Sequence, residues 1–137
     1  MKKILLPSDG SEHSIRSAEK AIELAKLYDA AIDIVYVING STSKRDVLQN
    51  TDKYVIEKRR KERLKPVEEK LTSASIPYEI HTLHGEPGPT IVEFANKGDY
   101  EYVVLGSRGL NPLQTMVLGS VSHKVAKRVN KPVMIVK

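Results

Sequence analysis

Apolar residues fall along this chain in two alternating rhythms. Short runs rich in β-branched residues, Ile4 to Pro7, Ile32 to Ile38, Tyr78 to Leu83, Tyr102 to Gly106 and Val133 to Val136, are separated by longer stretches in which apolar positions recur every three or four residues. The runs predict five strands, and the second, fourth and fifth are almost continuously apolar, as strands covered on both faces are. Between the first two, Ile15, Ala18, Ile22 and Ala25 form one helical stripe, with Ser11 as the N-cap. A second helix is read from Ile56, Leu64, Val67 and Leu71, with a kink or break expected near Pro66, which lacks an N–H. A third is expected from about Thr90 to Asn96, ended by Gly98. The fourth starts near Gly119 and Ser120 and buries Val121, Val125 and Val129 before Asn130 and Pro132 close it.

Strands alternating with helices predict an α/β fold: a five-stranded parallel doubly wound sheet, Rossmann-like, with strand one central and helices on both faces. In such sheets ligands bind beyond the carboxyl ends of strands, where the winding reverses. Those ends are Pro7-Ser8-Asp9-Gly10-Ser11 and Gly106-Ser107-Arg108-Gly109, both rich in glycine and hydroxyls.

Length and charge narrow the picture. The 137 residues suit one domain, 1–137, with one core. There is no cysteine, which removes disulfides and thiolate zinc sites and suits a reducing compartment. Met1-Lys2-Lys3 leads into only three apolar residues before Pro7, too few for a signal-peptide core or membrane span, so a cytoplasmic protein without a membrane role is expected. The net charge of +5 is local: residues 44–65 hold nine Lys or Arg against four acids, and the rest balances. This basic segment is read as a solvated helix face in a crossover connection, away from the strand ends and dispensable for ligand binding.

The chemistry gathers in Gly106-Ser107-Arg108-Gly109, then nine residues, then Gly119-Ser120-Val121-Ser122 opening a helix. Glycines let backbone N–H groups approach an anion, hydroxyls donate beside them, and a helix N-terminus adds unsatisfied N–H groups and partial positive charge. A phosphate chain is the natural guest. Neither the P-loop nor the Gly-x-Gly-x-x-Gly fingerprint follows the first strand. Asp9, at the mouth of such a site, is placed to hold a Mg2+ accompanying such a phosphate chain, usually through water; the competing role is that of a turn acid capping the helix.

Gly106, Gly109, Gly119 and Ser120 match Gly-x2-Gly-x9-Gly-Ser, and on this motif the chain resembles the ATP-binding branch of the universal stress protein family. The resemblance extends to Pro7-x-Asp9-Gly10-Ser11, Tyr36-Val37-Ile38, Gly85-Glu86-Pro87 and the closing Pro132 to Val136. It implies an adenine nucleotide alpha hydrolase-like fold and an ATP-dependent regulatory or stress-response role. It also implies a nucleotide pocket that includes Pro7, in which the Val37 backbone meets adenine, Asp9 and Gly106 lie at the ribose side, and Gly109, Gly119, Ser120, Val121 and Ser122 cradle the phosphates. Arg108 points either at phosphate or at solvent. A homodimer through the last strand is implied by the resemblance and expected physically, since Val133 to Val136 otherwise leaves an apolar edge open.

Three rival readings carry less. His13, His81, His84 and His123 invite a metal or triad reading, but His81 and His84 are three apart at a strand's end and need not face together, no nucleophile elbow accompanies them, and His13 and His123, each after a glycine-serine turn beside the expected phosphates, are read as surface histidines. An ATP hydrolase or adenylyl-transfer enzyme needs a positioned base and cationic stabilisation, and the sequence offers no compact set beyond Asp9 with Arg108 or His13, so at most slow hydrolysis is expected. A nucleic-acid-binding role rests on the basic helix alone and lacks aromatic platforms, with one Phe and no Trp.

Overall fold

The computed structural model describes residues 1–38, 53–107 and 119–137. In chain order the elements are β1 (Lys3–Pro7), α1 (Glu12–Tyr28), β2 (Ala31–Ile38), α2 (Lys53–Ser73), β3 (Tyr78–His84), α3 (Pro87–Lys97), β4 (Tyr102–Gly106), α4 (Ser120–Arg128) and β5 (Val133–Val136). The strands form one parallel sheet in the order β3-β2-β1-β4-β5, so the winding reverses at β1, as expected.

Side chains alternate across the strands and build two apolar layers. Ile4 and Leu6 of β1 and Ile32, Ile34 and Tyr36 of β2 face Ala18, Ala21 and Ala25 of α1 and Leu64, Val67 and Leu71 of α2. Leu5, Val35, Val103 and Leu105 face Ile91 and Ala95 of α3, Val125 of α4 and its C-cap Val129. Among the described residues no helix is long and apolar enough to cross a membrane.

Three expectations change at the helices. The buried stripe of α1 is Ser14, Ser17, Ala18, Ala21 and Ala25, with Ile15 and Ile22 only partly covered, so small residues rather than isoleucines meet the sheet. Helix α2 runs through Pro66 without a break. Pro66 is exposed, so water can take the carbonyl that proline leaves unpaired, while buried Leu64, Val67 and Leu71 hold both halves on the sheet. Helix α3 begins at Pro87 rather than near Thr90, because proline's fixed φ is preorganised for the first helical turn.

Candidate functional site

The carboxyl end of β1 is short of its neighbour. Pro7 pairs with Val35, and the Ser8 N–H donates to the Val35 carbonyl at 2.9 Å, after which β1 ends. Strand β2 continues to Ile38, whose carbonyl accepts the Gly85 N–H on the β3 side. Backbone groups alternate sides along a strand, so Val37, like Val35, carries its N–H and C=O toward the β1 side, past the point where β1 has stopped. The expected adenine-reading position therefore lies on an edge that β1 leaves open.

The turn that follows β1 is held by its own polar groups. Asp9 Oδ1 accepts the Ser11 N–H at 2.9 Å, and the Ser11 hydroxyl accepts the Ser14 N–H at 3.3 Å as the N-cap of α1. The cap is Ser11, as expected, and Asp9 stands half-buried before it with one carboxylate oxygen committed to the turn. Gly10 adopts φ +80°, and a Cβ there would lie 2.7 Å from the Arg63 carbonyl oxygen. Helix α2 thus packs against this turn. Arg60 donates to Thr82 Oγ1 at 3.0 Å, near the carboxyl end of β3. The basic segment was expected away from the strand ends, but Arg60 and Arg63 stand beside them, because the crossover returns antiparallel to the strands and its first half passes over that edge.

On the other side of β1, the glycine motif closes on itself. The Gly119 N–H donates to the Ser107 carbonyl at 2.8 Å, and the buried Ser122 hydroxyl donates to the Gly106 carbonyl at 2.5 Å. These two bonds pin the first turn of α4 to the end of β4. Ser120, Val121 and Ser122 occupy the first helical positions, where N–H groups have no acceptor within the helix, and Ser120 presents an exposed hydroxyl. The half-buried Val121 side chain packs against the core, so its backbone is what it offers a ligand.

Of the residues expected at the site, Pro7, Asp9, Val37, Gly106, Gly119, Ser120, Val121 and Ser122 lie on this one rim; Arg108 and Gly109 lie outside the described residues. The structure adds Ser107, whose carbonyl anchors Gly119, and Ser8, whose buried hydroxyl has no hydrogen-bond partner among the described residues. Both are hydroxyl residues directly after a strand, a signal present in the sequence. His13 accepts from Arg16 on α1, His84 is exposed at the end of β3, and His123 is exposed on α4.

Residues 1–137 match the model of the universal stress protein family. Universal stress protein MJ0531 of Methanocaldococcus jannaschii is 33% identical over 139 residues, covering 99% of this chain and 82% of that protein. The solved structure of MJ0577, a universal stress protein of the same organism, superposes with a TM-score of 0.85 at 26% identity, over 99% of this chain and 95% of that one. A universal stress protein from Archaeoglobus fulgidus, solved in complex with dAMP, superposes with a TM-score of 0.75 at 26% identity, covering 100% of this chain and 98% of that one. With its two-layered parallel sheet, its rim of hydroxyls and glycines and its match over the full length, this chain belongs to the universal stress protein family.

Proposed function

We propose that this protein binds ATP across the open end of β1 and acts as a nucleotide-dependent regulatory module, with at most slow hydrolysis. The observation that carries the reading is the closure of the glycine motif, in which Gly106 and Ser107 hold Gly119 and Ser122 so that the first turn of α4 faces the switch point. N–H groups at that turn suit phosphate, and the backbone of Val37, across β1, suits an adenine edge. The dAMP complex of the Archaeoglobus fulgidus relative supports an adenine nucleotide as the guest. The Ser8 hydroxyl, which has no hydrogen-bond partner among the described residues, lies between the two ends and is assigned to the ribose side with Asp9 and Gly106.

Asp9 fits Mg2+ as an outer partner. One oxygen is bound to the Ser11 N–H, which fixes the carboxylate at the rim and leaves the other to reach the metal through water. The metal would screen the charge of the triphosphate. Binding is favoured over turnover because polar groups at the rim hold structure: the Ser122 hydroxyl is bound to Gly106, and one oxygen of Asp9 is held by its own turn. Cytoplasmic location and the β5-mediated homodimer belong to the same proposal.

The test is to denature the purified protein, identify any released nucleotide by mass spectrometry, and titrate the nucleotide-free protein with ATP, AMP and adenosine. ATP should bind more tightly than adenosine and emerge hydrolysed only slowly. Equal affinity for ATP and adenosine would remove the phosphate cradle.

A further inference from the structure

A second polar cluster lies in the other half of the sheet. Asp33, on β2, is 4% exposed and faces the layer of Leu5 and Val35 rather than solvent. It pairs in register with Glu79 of edge strand β3, and Val35 pairs with His81, so Asp33, Glu79 and His81 share one face. Asp33 is four residues before Val37, about 13 Å along the strand, and is separate from the nucleotide rim.

His81 is the unexplained member. Its Nε2 is buried, lies 3.4 Å from Asp33 Oδ2 and 3.9 Å from Glu79 Oε2, and makes no hydrogen bond to either. The ring is set by Phe94 of α3, with centroids 5.0 Å apart. Tyr100 donates to Asp33 Oδ2 at 2.9 Å and fixes that carboxylate. One imidazole nitrogen and two carboxylate oxygens therefore converge within 4.8 Å of one another. Ligands about 2.0 to 2.1 Å from a tetrahedral zinc lie about 3.3 to 3.4 Å apart, the spacing already present between His81 and Asp33. Glu79 is largely exposed, so its side chain is free to close the remaining distance, and the edge position of β3 leaves an entry path from solvent.

We propose that Asp33, Glu79 and His81 form a binding site for a divalent first-row transition-metal ion such as zinc, with water completing its coordination. The donor set selects the metal: imidazole with carboxylates suits zinc and its neighbours, whereas magnesium and calcium prefer all-oxygen sites. Tyr100 supplies the outer hydrogen bond that orients a ligating carboxylate. Lys3 Nζ, 3.9 Å from Asp33 Oδ2, competes for the same oxygen, but the half-exposed lysine can swing into solvent when a cation arrives.

The experiment is calorimetric titration of chelator-washed, nucleotide-free protein with zinc and with magnesium, repeated on Glu79→Gln and His81→Gln. Glu79 is a surface side chain, so its variant keeps the test informative even if His81→Gln weakens packing against Phe94. One zinc per chain is expected, weakened at least about tenfold in each variant, with magnesium giving no binding at this site. Nitrogen-15 spectra of the histidine rings should show zinc shifting Nε2 of His81. Absence of zinc uptake, unchanged affinity in either variant, or zinc-dependent shifts at His13, His84 or His123 in place of His81 would overturn the assignment.

Discussion

At the scale of single residues, the proposed nucleotide binding rests on which hydroxyls of the rim are committed and which are not. Ser122 is buried and bound to Gly106, whereas Ser120, two residues earlier, is exposed on the turn that faces the switch point. Ser120→Ala should therefore weaken ATP binding about 10- to 100-fold, from the loss of a hydrogen bond to a charged group worth roughly 1.5 to 3 kcal/mol, and leave adenosine affinity and stability nearly unchanged. Calorimetric titration with both ligands is the check, and equal losses for both would move Ser120 away from phosphate. Tyr100 belongs to a different balance. Burial, and then its hydrogen bond to Asp33, raises its pKa above the ordinary 10.0. The folded state thus holds a proton that the unfolded chain releases near pH 10, so this contribution to stability is complete below that pH and is lost as pH rises further. Tyr78 and Tyr102 are raised in the same direction. Tyr100→Phe should cost about 1 to 3 kcal/mol at neutral pH, because Asp33 loses a buried donor, and should flatten the alkaline fall seen in denaturant melts. A fall as steep as in the unaltered protein would show that Tyr100 does not govern it.

At the scale of elements, helix α2 shows local chemistry yielding to packing. Proline inside a helix costs about 3 kcal/mol, enough for the sequence to predict a kink or break at Pro66, and the helix nonetheless continues unbroken over Lys53–Ser73. Leu64, Val67 and Leu71 bury one stripe on both sides of the proline, and that burial exceeds the local penalty. Pro66→Ala should accordingly stabilise the protein, by up to about 3 kcal/mol if the lost helix bond is the whole cost, measured by urea unfolding. No gain, or a loss, would show that Pro66 earns its place through contacts in the groove between α1 and α2, where it lies with Ile22, Lys26 and Ala74. The same helix accounts for a site feature that the sequence hid. Charge counting located the basic run but not its direction, and only the antiparallel return of the crossover brings Arg60 to Thr82 and Arg63 to Gly10.

At the scale of the whole molecule, the sheet was legible because strands buried on both faces leave long apolar runs, and the central place of β1 followed from the common doubly wound arrangement. The positions of the glycines and hydroxyls directly after β1 and β4 were legible for a related reason: topology alone puts them at the carboxyl ends of those strands. Asp33 was not, since one acid in the β2 run reads the same whether it meets solvent or, as here, Tyr100 and His81. Among the described residues, no strand pairs with the outer edge of β5. The carbonyls of Pro132 and Val136 accept from Val103 of β4 and from Ser107 just after it, so the backbone groups of Val133 and Ile135 point away from β4. All four residues of β5 are only half-buried, and the strand carries no charge or bulge that would discourage pairing with another chain. A second copy meeting this edge would satisfy those groups and cover the apolar side chains. Light scattering at micromolar concentration should therefore find about twice the chain mass of 15.3 kDa. Ile135→Pro removes one outward N–H while sparing the ladder to β4, and should yield a folded monomer, with folding verified by circular dichroism. A folded variant that remains dimeric would place the contact elsewhere, and an unaltered protein that scatters only as a 15.3 kDa species would remove the dimer altogether.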